Sequence, residues 1–203
     1  MQQKENYQIL FDEQIKSIQN QPTKPSLLLH ACCAPCSSYV LEYLSDIFDI
    51  TLFFFNPNIA PKEEYAFRAN ELKRLVKEMG LDNKVKILIP DYSPEVFDMI
   101  ALGREDLPER GARCTDCYRI RLEKTFLTAE ERGFDFFSTT LSISPHKDAE
   151  RLNNIGKNLA ENSKTNWLFS DFKKKNGYKR SIELSQKYSL YRQNYCGCSY
   201  SKK

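Results

Sequence analysis

The sequence predicts an α/β fold in which helices flank a parallel, doubly wound sheet. Four short apolar runs are typical of buried strands, the segments between them carry apolar residues at helical spacing, and Pro, Gly or Asn separates many of these segments. Alternation of strand and helix along a chain favours parallel pairing. Because the ligands of such sheets collect outside the carboxyl ends of the strands, we expect the functional site there.

The first part of the chain alternates helix and strand. Residues 6–20 carry apolar side chains at helical spacing, and two prolines end this predicted helix. The apolar run 27–31 predicts a buried strand, which leads directly into a cysteine-rich turn over residues 32–38. Helical spacing follows over residues 39–48.

The next segments repeat this alternation. Residues 50–55 are a β-branched and aromatic run closed by Asn-Pro-Asn, which predicts a second strand. Residues 63–79 contain neither Pro nor Gly and are rich in helix formers, and Gly80 ends the predicted helix. Residues 85–89 predict a third strand.

Two more helices and a fourth strand complete the predicted sheet. The helices are expected over residues 92–101 and 116–132, with the pair Cys114 and Cys117 preceding the second, and the strand over residues 134–139. This strand leads into a Ser-rich turn that contains Pro and His. The turns after the first and fourth strands are therefore expected to face the same crevice.

The chain is predicted to form a single domain. At 203 residues it can bury one substantial core but is short for a second domain. We expect a helical extension over residues 1–25, an α/β core over 26–150 and a mainly helical, cysteine-containing part over 151–203. No apolar stretch approaches the roughly 18 residues of a membrane-spanning helix, and the N-terminus lacks the apolar centre of a signal peptide. The sequence thus predicts a cytoplasmic protein without membrane contact.

The seven cysteines are the strongest chemical signal. Cytosolic thiols stay reduced, so metal binding or thiol redox chemistry explains them better than a disulfide framework. A CC-x-x-C element and a separate CxxC can close on one metal centre, and four thiolates suit either zinc or a cubane cluster. Structural zinc and ordinary buried thiols are the alternatives. Adjacent Cys32 and Cys33 favour a cluster over a zinc knuckle, whose paired ligands are spaced apart.

A third element, Cys196-Gly197-Cys198, spaces two thiols by one glycine. A disulfide between them would close a small, strained ring that is readily reduced and re-oxidised. An accessory metal pair and a C-terminal staple are the alternatives. Two further candidates for metal binding are Cys36, whose role stays open, and Asp116. For Asp116 the alternatives are a proton donor and, as the favoured interpretation, an acid at a helix start.

Charge does not decide the class of partner. The formal net charge of +3 is too small to indicate a dedicated nucleic-acid-binding domain. Basic residues nonetheless cluster with aromatic residues near the C-terminus, around Lys179 and Arg180, which is typical of a local phosphate-contacting patch.

Five ordered motifs carry a family resemblance. They are LLLHACCAPCSS, FFFNPNI, GARCTDCYRIRLEKT, FFSTTLSISPHKD and LYRQNYCGCSYS, and the resemblance that they carry extends roughly from Leu27 to Ser199. With these motifs the chain resembles the cobalamin-independent, iron-sulfur-dependent epoxyqueuosine reductases. Residues 150–180 match less distinctly.

The resemblance implies a nucleotide-hydrolase-like, Rossmann-like fold and an oxidoreductase that performs the last step of queuosine biosynthesis. It implies a 4Fe-4S cluster held by Cys32, Cys33, Cys114 and Cys117, with room for an additional metal ion. It further implies a redox-active disulfide between Cys196 and Cys198 that an external electron donor reduces.

The implied substrate is a tRNA with a queuosine-type wobble base. Stacking and phosphate contacts recognise such single-stranded loops. The candidates for these contacts are His146, Lys179, Arg180, Tyr191 and Arg192. The alternative for the turn that contains His146 is that it caps a helix. The alternative for the other candidates is that the aromatic side chains lie in the core and the charged ones are solvated.

Two other functions stay open. One is a zinc-stabilised tRNA-binding module without catalysis. The other is an ATP-dependent, tRNA thiolase-like enzyme, although the cysteine turn after the first strand stands where a glycine-rich phosphate loop would be expected.

Overall fold

The computed structural model describes residues 5–201. The sheet contains five strands: β1 Ser26–His30, β2 Asp49–Phe53, β3 Lys86–Leu88, β4 Phe136–Thr139 and β5 Asn166–Trp167. Seven helices accompany them in the described residues: α1 Tyr7–Gln19, α2 Ala34–Leu44, α3 Lys62–Glu78, α4 Glu95–Ala101, α5 Ala112–Glu131, α6 Ala149–Ala160 and α7 Gly177–Lys187. Short 3-10 turns lie at Thr140–Ile143 and Ser199–Ser201.

The sheet is parallel throughout, in the order β3-β2-β1-β4-β5. The chain moves outward from β1 through β2 to β3 and then returns to the other side of β1 for β4. This reversal opens a crevice at the carboxyl ends of β1 and β4, where His30 is in register with Thr139. The predicted position of the functional crevice matches this arrangement.

Strand β1 is covered on both faces. Leu27 and Leu29 pack into one apolar cluster with α1, α2 and α3, whereas Leu28 packs into a second cluster with α5 and α6. Burial on both faces explains why β1 is a continuous apolar run, as expected for a strand inside a parallel sheet.

The four predicted strands are confirmed, and so is the α/β class, but three details of the prediction are wrong. Helix α2 begins at Ala34 and helix α5 at Ala112, several residues before their predicted starts. Pro35 is favourable in the first turn of a helix, so it does not delay α2. Strand β5 was missed because two residues are too few to show a periodicity.

The limits of the described chain affect two expectations. Residues 1–4 of the expected N-terminal extension and residues 202–203 of the expected C-terminal part lie outside the described residues. Among residues 5–201, no helix combines the length and the apolar content that a bilayer crossing requires.

Candidate active site

The turn after β1 brings three cysteine sulfurs together. The sulfurs of Cys32, Cys33 and Cys36 all lie within 4.8 Å of one another, and those of Cys32 and Cys33 are 3.7 Å apart. Cys33 is the N-cap of α2 and Cys36 lies in its first turn. The early start of α2 therefore places Cys36 beside the adjacent pair, where free backbone N–H groups favour thiolates.

The three thiols have different proton affinities. The hydrogen bond with Cys32 holds the pKa of Cys33 well below its usual range. The same kind of contact with Cys32 raises the pKa of Cys36, and the contact with Cys33 raises that of Cys32. Cys33 is thus the thiol of this triad that loses its proton first.

Helix α5 contributes two more buried cysteines. Cys114 and Cys117 lie within the first turns of α5, not before it as the sequence suggested. Cys114 accepts a hydrogen bond of 3.3 Å from the backbone N–H of Arg110 and belongs to the apolar cluster against which Cys32 packs. Cys117 packs instead beside Cys198, and burial raises its pKa to about 11. Both α5 cysteines lie outside the close triad.

A buried arginine lies between these groups. Arg121 is 4% exposed and its Nη1 is 4.0 Å from the sulfur of Cys117. The contact with Cys33 raises the pKa of Cys32, and the charge of Arg121 partly offsets that rise. Its Nη2 donates to Oδ1 of Asn56 across 2.6 Å, and its Nε lies 3.3 Å from Nε2 of His30. Burial and the charge of Arg121 lower the pKa of His30 to about 3, so this imidazole is neutral. The guanidinium therefore presents a positive charge to the thiols.

The C-terminal segment adds a thiol pair. The sulfurs of Cys196 and Cys198 are 3.6 Å apart, and Ser201 Oγ lies 3.3 Å from the sulfur of Cys196. Gly197 has φ +113°, and a Cβ there would lie 2.9 Å from Ile59, so both conformation and space require glycine.

The two thiols of this pair are inequivalent. The hydrogen bond with Cys198, followed by the positive charge of Lys147, holds the pKa of Cys196 well below its usual range. The hydrogen bond to Cys196, together with burial, raises the pKa of Cys198. Burial disfavours the charge of Lys147, but the negative charges of Cys196, Tyr118 and Glu109 together outweigh it and raise the pKa of the ammonium. The arrangement favours a thiolate at Cys196 and a protonated thiol at Cys198.

Several of these groups border one cavity of about 270 Å³, whereas Cys114, Cys117 and Cys198 are not among its lining residues. Its thiol side comprises Cys32, Cys33, Cys36 and Cys196; its basic side chains are Arg68, Arg121, His146, Lys147 and Arg192; and its aromatic ones are Tyr178 and Tyr195. Thiolates surrounded by cationic groups can hold a soft metal centre, and the open side admits an anionic substrate.

Some predicted substrate contacts border the cavity and others do not. His146 and Arg192 line it, whereas Lys179, Arg180 and Tyr191 are not among the lining residues. Arg180 instead pairs with Glu42 at 2.8 Å and with Glu183 at 3.0 Å. Tyr191 packs edge-on against the ring of Phe67.

Other sequence candidates have structural partners. Asp116 forms an ion pair with Arg104. The capping role expected for the His146 turn is carried by Asp148, which caps α6 by accepting from the backbone N–H of Arg151. Arg68 gave no sequence signal, because a single Arg inside a polar helix usually faces solvent. Its burial is visible only in the folded chain.

Comparisons with known proteins match the chain to one family. The family model described as epoxyqueuosine reductase QueH matches residues 27–203. The chain is 44% identical to the epoxyqueuosine reductase QueH of Streptococcus pyogenes serotype M1 over 203 residues, covering 99% of this chain and 80% of that protein. It is 35% identical to the protein of the same name from Thermotoga maritima, covering 87% of this chain and 90% of the relative.

Proposed function

The chain belongs to the epoxyqueuosine reductase QueH family, and from that premise we propose that it reduces the epoxide of epoxyqueuosine to queuosine at the wobble position of tRNA. The observation that carries the proposal is the single cavity bordered by the cysteine triad, Cys196 and several cationic side chains. This reaction is the last step of queuosine biosynthesis, and it makes the protein an oxidoreductase.

A 4Fe-4S cluster is the cofactor that we propose, with Cys32, Cys33, Cys114 and Cys117 as its ligands. Thiolates are the ligands that iron-sulfur clusters require, and the buried charge of Arg121 offsets their negative charge. When bound, such a cluster supplies electrons one at a time. Cys36 lies within the close triad, which supports a role for it as a further ligand of the cluster or of an additional metal ion.

The Cys196–Cys198 pair is proposed as the two-electron donor. The Cys196 thiolate, the Cys198 thiol, one epoxide and one proton from solvent give one disulfide, one alkene and one water. Both epoxide C–O bonds break, and the oxygen leaves with the Cys198 proton and the solvent proton. The low pKa of Cys196 supplies the thiolate, while Cys198 retains its proton. An external donor then reduces the disulfide for the next turnover.

The tRNA is proposed to approach across the basic side of the cavity. Arg192 lies on this side and is exposed, and Tyr178 offers an aromatic face at the same opening. A splayed wobble nucleotide is held by such stacking and phosphate contacts. Lys179, Arg180 and Tyr191 lie outside the cavity lining, so any contact that they make is with neighbouring nucleotides.

Replacing the thiol pair tests the redox role. A Cys196→Ser, Cys198→Ser double variant should lose multiple turnover of epoxyqueuosine-containing tRNA while it still binds that tRNA. Turnover of the double variant at the wild-type rate would exclude the dithiol as the electron donor.

Cofactor analysis separates the rival functions. Protein purified without oxygen should contain iron and labile sulfide and absorb visible light. A colourless protein with stoichiometric zinc would support a binding module, and a strict ATP requirement would support a thiolase-like enzyme.

A further inference from the structure

Arg68 is a fully buried cation in the middle of α3. It is 2% exposed, and its Nε donates to Oε1 of Glu64 across 2.7 Å. A guanidinium in this position has lost its hydration, so its remaining donors need acceptors in the protein. The ion pair with Glu64 is one turn away on the same helix and leaves both terminal nitrogens of Arg68 available.

One terminal nitrogen reaches the C-terminal thiol segment. Nη1 of Arg68 donates to the carbonyl oxygen of Cys196 across 3.3 Å, and the guanidinium carbon lies 5.1 Å from the ring centroid of Tyr195. On the far side of Cys196, the backbone N–H of Ala60 donates to the carbonyl oxygen of Gly197 across 3.0 Å. The backbone around Cys196 is therefore held at two consecutive carbonyls.

The guanidinium of Arg68 packs tightly against the thiol segment and also borders the cavity. A Cβ at Gly197 would lie 3.1 Å from Nη1 of Arg68. The other terminal nitrogen, Nη2, is buried without a hydrogen-bond partner, and Arg68 lines the same cavity as Cys33 and Cys196. The side chain thus occupies the boundary between the thiol segment and the cysteine triad.

We propose that Arg68 is a positioning residue that holds the carbonyl of Cys196, and thereby keeps the two thiols of Cys196 and Cys198 within bonding reach at the edge of the cavity. The inference rests on the proposed role of these thiols as the electron donor. In that step the Cys196 thiolate and the Cys198 thiol are oxidised to one S–S bond, and the Cys198 S–H bond and both epoxide C–O bonds break. The oxygen leaves as water with the Cys198 proton and one proton from solvent. A loosened segment would bring the sulfurs together less often.

The test measures disulfide formation without substrate. Full-length wild type, Arg68→Gln and Arg68→Lys are equilibrated anaerobically in glutathione buffers. Free thiols are then alkylated, and the tryptic peptide 193–202, which carries both thiols, is quantified by mass spectrometry. Loss of one hydrogen bond from a charged donor should lower the equilibrium constant for the Cys196–Cys198 disulfide by about five-fold or more in Arg68→Gln.

The matched control is Arg74→Gln. Arg74 lies on the same helix and donates to the carbonyls of Tyr188 and Ser189, an earlier part of the same segment. This variant should leave the disulfide equilibrium unchanged. If Arg68→Gln does not fold, Arg68→Lys and Gly197→Ala disturb the same contact from either side and should lower the constant.

Kinetics distinguish positioning from binding. The Arg68 variants should reduce kcat while KM for tRNA stays at the wild-type value. A disulfide equilibrium within two-fold of wild type in folded Arg68→Gln, or a rise in KM alone, would overturn the proposal. If instead the double serine variant retains full turnover while the Arg68 variants still shift the equilibrium, the donor role of the dithiol fails and the positioning of the thiols stands.

Discussion

The hydrogen bond from Nη2 of Arg121 to Oδ1 of Asn56 joins helix α5 to the turn after β2 across 2.6 Å, in a fully buried position. Asn56 also donates to the carbonyl of Ala31, immediately before the cysteine triad. One amide side chain therefore connects the cationic centre of the site to the backbone of the cysteine turn.

Removal of this amide should destabilise the protein. In Asn56→Leu the guanidinium of Arg121 loses an acceptor inside the core, which should lower the free energy of unfolding by about 2 kcal/mol. Urea denaturation measures the change. Asn158→Ala, at an exposed position on α6, is the control and should change it little. Equal stability of the two variants would contradict the importance of the amide.

The charge of Lys147 should control the reactivity of Cys196. The ammonium lowers the pKa of this thiol, so Lys147→Gln should raise it and reduce the thiolate fraction at neutral pH. The pH midpoint for alkylation of Cys196 by iodoacetamide, followed by mass spectrometry, should move upward. The control is Lys157→Gln, on the exposed surface of α6, which should leave the midpoint for Cys196 alkylation at the wild-type pH. An unchanged midpoint in Lys147→Gln would show that Lys147 does not act on the thiol.

Cys36 should contribute to metal retention. Because its sulfur lies with those of Cys32 and Cys33 in a group only 4.8 Å across, Cys36→Ser should lower the metal content per chain and speed its loss to a chelator. Elemental analysis of anaerobically purified protein measures the metal content, and repeating it at intervals after addition of the chelator measures the rate of loss. Cys198→Ser should retain wild-type content, since Cys198 is proposed as a member of the redox pair and not as a cluster ligand. Equal metal content in the two variants would exclude Cys36 as a ligand.

Arg192 should contribute more to tRNA affinity than Arg180. Arg192 lines the cavity, whereas two carboxylates already neutralise Arg180. Arg192→Ala should weaken binding and reduce the slope of log affinity against log salt by about one. Arg180→Ala should have the smaller effect in titrations with labelled tRNA at several salt concentrations. The reverse order would place the RNA on the α7 surface instead.

Close packing of α6 on the sheet should make Gly156 indispensable. A Cβ at this position would lie 2.1 Å from the ring of Trp167, whose indole N–H donates to Asn153. Gly156→Ala should therefore lower the free energy of unfolding by about 1–3 kcal/mol. Thermal and urea unfolding, with Asn158→Ala as reference, test this expectation. A variant as stable as wild type would mean that the indole can move without cost.

The sequence by itself determined the strands that bury both faces, the alternation that makes the sheet parallel, and the crevice at the ends of β1 and β4. These features follow from hydrophobic periodicity, which is local in the chain. The cysteine motifs equally indicated thiol chemistry, because their spacing is a local property. Short β5 and the early starts of α2 and α5 depended on packing and capping, which periodicity does not encode.

Only the tertiary structure decided which side chains share the site. Arg68 lies 128 residues before Cys196, yet the two are hydrogen-bonded. Arg121 and Asn56 are 65 residues apart and meet in the core. Such contacts depend on how the helices cross the sheet and on which cations lose their hydration there, and neither is visible in residue spacing. The grouping of Cys36 with Cys32 and Cys33 likewise depends on the early start of α2, because the first turn of this helix places the Cys36 sulfur beside the other two.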